Sequence, residues 1–440
     1  MKLWAKNKKE EIIDIVEEFE VGKDYIYDKE IAYFDVIGTI AHVKMLNKIG
    51  VISDEETKKV LAELEYLKDK FQKEPPNLTV KDEDIHTYIE NFLVSKVGDI
   101  GKKIHTGRSR NDQVLTAMRL YEKSKVIEII DKVNILLKKL LNLSKKFESE
   151  GKPLIGYTHF RQAMPISASL WIDSFIEALE DDRNFLKKVL EFIDKNPLGT
   201  AAGFGVPLNI DREFTTKLLE FSDVIKNPVY AQNSRGKFES MLIFALGVLL
   251  GDISRFSNDV IVFSSDEFGF VKLSDRITTG SSIMPHKKNP DIFELIRSKA
   301  KKVMGYAFTI SNITFSLNSG YNKDLQETKE LVIEGIRETL KILEVMIEII
   351  DYIDIDSEKV FSKMSKKIFS VDITFKIMED FKLPFRDAYR LVGEVFDELE
   401  MNTIDELKEK FKDDSIRISI LDAISKDVRD LYKEAMGKRL

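Results

Sequence analysis

The stretch from Arg108 to Glu150 contains neither glycine nor proline, and it limits what the rest of the chain can be. Apolar residues recur in it at helical spacing, at Val114, Met118, Tyr121, Ile130, Val133, Leu137, Leu140 and Leu141. The spacing predicts a helix over about 112–149, roughly 55 Å long at 1.5 Å per residue. Globular helices usually run roughly 8–20 residues, so one this long implies a bundle or coiled coil. Proline is absent again from Asp291 to Leu383, room for two long helices, about 292–312 and 325–352, joined by the polar turn SLNSGYNKDLQ. A fourth pattern covers 166–193 and a fifth covers about 236–263. The fifth carries Gly247 and Gly251 four apart, either admitting another helix backbone or simply tolerated.

Adjacent leucine pairs (Leu136 and Leu137, Leu140 and Leu141) give such helices more than one apolar face, which a single five-helix bundle leaves partly uncovered. Self-association is the expected remedy. The expected fold is all-α: an N-terminal helical domain over 1–105, a central long-helix bundle over 106–355 and a C-terminal helical domain over 356–440. At 440 residues the chain exceeds what one hydrophobic core usually supports. Charged residues make up 32% and carry a net charge of -7 with the two signs interleaved, a solvated surface without a nucleic-acid footprint. The absence of cysteine excludes disulfides, thiolate catalysis and zinc–thiolate sites. The opening residues MKLWAKNKKEEIIDIVEEFE lack the apolar centre of a signal peptide, and no uninterrupted apolar run approaches the ~20 residues that span a bilayer. The expectation is a cytoplasmic protein with no membrane or nucleic-acid partner.

Four of the five histidines lie in polar segments between helices: DEDIHTYIE with His86, KKIHTGRSRNDQ with His105, GYTHFRQAMP with His159 and TGSSIMPHKKNPD with His286. Loops on rigid scaffolds are where sites are built. Ser109, Asn111 or Asp112 can cap the longest helix. Yet a cap needs only one such residue. Arg108 and Arg110 beside a helix N-terminus also suit a carboxylate. His159 is a candidate for proton transfer. In the last segment Ser281 and Ser282 follow a glycine, and Lys287 and Asn289 precede a helix that Pro290 can start, with Glu294 in its first turns. Backbone N–H groups, Lys287 and Asn289 together can hold an anion or an enolate-like oxygen. The spacing does not fit a Walker-type phosphate loop.

Together these motifs resemble a known family. TGSSIMPHKKNPD is similar to the signature loop of the fumarase/aspartase lyases, and HTGRSRNDQV and GYTHFRQAMP resemble the argininosuccinate lyases among them. The resemblance extends to DVIGTIAHVKML, DEDIHTYIE, NPLGT, SSDEFGFV, YNKDLQETKE and PFRDAYRLVG, essentially the whole chain. It implies a homotetramer with a twenty-helix core and active sites shared between subunits. It also implies a reversible anti elimination of argininosuccinate to arginine and fumarate that uses no cofactor and no metal. By resemblance, Ser281 is the general base, His159 belongs to the acid side with Glu294 orienting it, and Lys287 supports the base. Lys287 and Asn289, with Ser109, Arg110, Asn111 and Thr158, take the fumarate-side carboxylate. His86 lines the site, and Tyr321, Gln326 and Lys329 contact the arginine moiety. The chain departs from the commoner pattern at His286, Met164, Thr39, Tyr389, NSRGKF and the segment Gly22–Asp24, which lacks a frequent serine. Adenylosuccinate cleavage and a non-catalytic scaffold are the rival readings.

Overall fold

A computed structural model describes residues 14–439; the opening segment read above for a signal peptide lies largely outside the described residues. Five long helices dominate: Arg110–Ser149, Ala168–Ile193, Lys237–Phe263, Asp291–Thr314 and Thr328–Ile349. Each falls within a few residues of its expected place, because apolar periodicity fixes a long helix and proline or glycine punctuates its ends. The chain packs into two compact units, each drawn from three separate stretches. One comprises residues 1–134, 180–252 and 298–344, the other 135–179, 253–297 and 345–440. The boundaries fall inside the long helices.

In the first unit, helices Asp24–Lys48 and Asp54–Lys73 bury Ile31, Val36, Leu46, Leu64 and Leu67. A capping box between Ser53 and Glu56 starts the second of them. Asp84 caps the next helix, Ile85–Val97, by accepting the Thr87 N–H at 2.7 Å. Gly247 has the close neighbour that its place in a helix suggested. A Cβ there would lie 2.8 Å from the Met304 methyl carbon and 3.2 Å from the Met304 Cα, whereas one at Gly251 would meet nothing within 4 Å.

In the second unit, Trp171 stacks on Phe256 at 5.5 Å and donates its indole N–H to Asp259 at 3.1 Å. Strands Val271–Leu273 and Ile353–Ile355 pair antiparallel. Helices Ser370–Phe381, Phe385–Glu398, Ser415–Ser425 and Val428–Arg439 complete it. GYTHFRQAMP, read above as a loop, is a hairpin: Pro153–Thr158 pairs antiparallel with Arg161–Ser167. The following helix therefore starts at Ala168, two residues later than expected. Among the described residues, one stretch, 228–263, is long and apolar enough to cross a membrane. Just over half of its most apolar part, 56%, is buried inside the protein, as in a core helix.

Candidate active site

The site residues singled out from sequence fall into two groups, one in each unit. The first unit holds His86, Ser109, Arg110, Asn111, Tyr321, Gln326 and Lys329. Helix Arg110–Ser149 begins in a built cap. Ser109 Oγ accepts the Asn111 N–H at 3.2 Å, and Asp112 Oδ1 accepts the Ser109 N–H at 2.9 Å. The other Asp112 oxygen accepts the N–H groups of Gly199 and Ala201 at 3.0 and 2.9 Å, which ties down the NPLGT loop. Burial raises the Asp112 carboxyl to about 6 in spite of those donors. Capping is thus realised by Ser109 and Asp112.

Arg110 is free of that duty, and its fork is engaged elsewhere. One terminal nitrogen lies 2.9 Å from Glu83 Oε1 and 3.2 Å from Asp84 Oδ2, and the other donates to Thr87 Oγ1 at 3.0 Å. Glu83 stands at φ 64°, ψ -61°, and the Asp84 N–H bonds the Asp82 carbonyl at 2.7 Å across it. This is the rare positive-φ γ-turn, which strains a residue with a side chain by about 1–3 kcal/mol. Burial would raise the Asp84 carboxyl, but His86 and Arg110 outweigh it and hold it below its ordinary value.

His86 is buried with Nδ1 2.6 Å from Asp35 Oδ2. Burial opposes the charged ring, yet the Asp35 carboxylate prevails and raises the His86 pKa. Gln113 donates to the other Asp35 oxygen at 2.9 Å. Lys329, also buried, is held by Asp24 at 2.9 Å and Asp28 at 2.5 Å. Burial works against its charge and the two carboxylates overcome it, raising its pKa. Gln326 donates to the backbone carbonyls of Glu20 and Val21, and the Arg235 guanidinium lies 5.4 Å from the centre of the Tyr321 ring. Beside Gln326 opens a cavity of about 930 Å3 lined by Glu18, Glu20, Asp24, Asp324, Glu327 and Glu330 against Lys23 and Lys323. Its charge favours a cationic guest.

The second unit holds Thr158, His159, Ser281, Lys287, Asn289 and Glu294. Thr158 pairs with Arg161 to close a two-residue turn made of His159 and Phe160, at φ 52° and 56°. Both residues of such a turn need positive φ, the reason Asn-Gly is usual there. Histidine and phenylalanine instead hold strain at an exposed tip, and strain of that sort gathers at functional sites.

The signature loop is closed at its base. The Thr279 N–H donates to the Asn289 carbonyl at 3.1 Å, and the Asn289 N–H returns to the Thr279 carbonyl at 2.8 Å. Thr279 also bonds Asp291, and Lys288 pairs with Asp275. Within the loop, Ser281 Oγ accepts two backbone N–H groups, from Ile283 at 3.3 Å and Met284 at 3.1 Å. His286 and Lys287 are exposed, and so is Glu294 on the helix that follows. Among the described residues no hydrogen bond or ion pair joins His159 to Ser281, Lys287 or Glu294. The partners Asp24, Asp28, Asp35 and Glu83 were not foreseen, although Glu83 lies inside the acidic run of DEDIHTYIE. Among the described residues no group of three or more His, Cys, Asp or Glu side chains is arranged to hold a metal ion.

Residues 15–305 match the family model described as Lyase. An argininosuccinate lyase of Thermotoga neapolitana is 44% identical over 400 residues, covering 90% of this chain and 98% of that one. The argininosuccinate lyase of Phocaeicola vulgatus is 41% identical, covering 89% of this chain and 87% of its own. Among solved structures, an EDDS lyase variant with bound fumarate superposes with a TM-score of 0.75 at 20% identity, over 95% of this chain and 89% of that one.

Proposed function

We infer the reaction from the premise that this chain belongs to the argininosuccinate lyase family of the fumarase/aspartase lyases: it is a carbon–nitrogen lyase that cleaves argininosuccinate reversibly to arginine and fumarate. The observation that carries the chemistry is the double N–H donation to Ser281 Oγ. A serine hydroxyl is a poor base, and two backbone donors aimed at its oxygen favour the alkoxide. In our reading that alkoxide takes the proton from the carbon next to a carboxylate. The electron pair moves onto that carboxylate, giving a dianion. The C–N bond then breaks as the pair returns to form the fumarate double bond, and the departing guanidinium nitrogen takes a proton from the acid side.

Lys287 and Asn289 sit on the same closed loop and meet the growing negative charge, where an interaction that strengthens in the transition state speeds the reaction. His159 serves from the hairpin tip on the acid side, with Glu294 orienting the imidazole. Ser109, Arg110, Asn111 and Thr158 receive the fumarate end, and His86 lines the site. Tyr321, Gln326 and Lys329 receive the arginine end, a role supported by the acidic cavity beside Gln326. The chain works as a homotetramer with sites shared between subunits. This is supported by exposed large apolar residues along the long helices, among them Ile135, Leu170, Phe192, Phe244, Leu295 and Phe308. We place it in the cytoplasm and in arginine biosynthesis.

Incubation of the purified protein with argininosuccinate, followed by ultraviolet absorbance of fumarate, tests the substrate. Fumarate accumulates if the reading holds. Silence with argininosuccinate and turnover of adenylosuccinate contradicts it.

A further inference from the structure

We propose that Glu83 is a displaceable internal carboxylate that occupies Arg110 and gives way to a carboxylate of the substrate. The inference rests on the reading of Arg110 as a carboxylate binder. Three observations carry it. First, the Arg110 fork is met by two carboxylates of its own unit, Glu83 at 2.9 Å and Asp84 at 3.2 Å, so an incoming anion finds its charge already answered. Second, those two carboxylates are held differently. Asp84 is buried and fixed as the cap of helix Ile85–Val97, with its other oxygen on the Thr87 N–H. Glu83 precedes the cap, on a backbone at φ 64°, ψ -61° that a side-chain-bearing residue adopts only under strain. Leaving that conformation relieves the strain, so losing the Glu83 contact is offset in part. Third, Thr87 and Asp84 keep hold of the guanidinium when Glu83 departs, so Arg110 stays aimed while one N–H edge opens.

The consequence is a threshold. A ligand gains from Arg110 only what its carboxylate offers beyond Glu83, which favours an anion that binds the fork with both oxygens over an adventitious one. Glu83 acts through Arg110 and touches no reacting atom, so its removal acts on binding and leaves the chemical step to Ser281.

The test measures the dissociation constant of fumarate by calorimetry, and KM and kcat for argininosuccinate, in the intact protein and in Glu83→Gln. Glutamine keeps the size and removes the charge. We expect fumarate affinity to rise and KM to fall, each roughly three- to tenfold, with kcat little changed. Glu83→Gly, which accepts positive φ without strain, gives the same sign and serves if the glutamine variant folds poorly. Unchanged or weakened fumarate binding in well-folded variants overturns the proposal. Arg110→Gln separates the two levels: if it leaves fumarate binding intact, the carboxylate reading of Arg110 fails too. If it abolishes binding while Glu83→Gln changes nothing, only the displacement is lost.

Discussion

Asp182 lies in helix Ala168–Ile193 with 5% of its surface exposed, and one carboxylate oxygen has no hydrogen-bond partner among the described residues. Burial, reinforced by Asp252 and Asp181, raises its pKa to about 7. The unfolded value is near 3.9, so the folded chain binds the extra proton between those limits. The stability that Asp182 contributes is therefore complete below about pH 4 and is lost as pH rises through about 7. Asp182→Asn, a neutral isostere, should melt at a higher temperature than the parent at pH 8, with the gap closing towards pH 5. A gap independent of pH in a thermal melt would refute this assignment. The same local forces govern how much of the site could be read from sequence. Ser281, His159 and Arg110 stand out in the sequence as candidates, because a titratable or nucleophilic residue in a glycine-punctuated segment between helices has few structural uses. Their counter-charges do not. Lys329 meets Asp28 across 301 residues of chain, and Glu83 reaches Arg110 only because a strained turn points it there.

At the scale of elements, long helices were legible and short strands were not. Helix Arg110–Ser149 declares itself through a repeated 3.6-residue pattern with no breaker. The hairpin Pro153–Ser167 offers no comparable signal. Gly156 and Pro165 interrupt its alternation, its register slips between Gly156 and Tyr157, and its tip lacks the usual Asn-Gly. Helix Lys237–Phe263 shows how packing decides what composition leaves open. Gly247 and Gly251 look alike in sequence, yet only the first faces a close neighbour. Gly251→Ala should stabilise the protein by about 1 kcal/mol, the propensity gain in a helix interior. Gly247→Ala forces Met304 to shift, and a further enlargement to valine should cost about 1–3 kcal/mol. Chemical denaturation of the variants measures both. Equal effects at the two positions would show that the approach of Met304 does not matter.

For the whole molecule, the long helices create both a need and an opportunity. Phe192, Phe244 and Phe308 leave apolar surface on helices that one chain does not cover, which is the basis for proposing a tetramer. Association would also let loops carried by different chains meet, as the proposed mechanism requires of the hairpin tip and the signature loop. Two carbonyl–amide bonds between Thr279 and Asn289 give the signature loop a fixed base while Ile283, Met284 and His286 stay exposed above it. Such a loop can close over an anion and exclude water. The account converges on one atom, Ser281 Oγ, and Ser281→Ala addresses it directly. The variant should assemble to the same mass by light scattering as the parent and release no fumarate from argininosuccinate. Fumarate production at the parental rate by that correctly assembled variant would contradict the account.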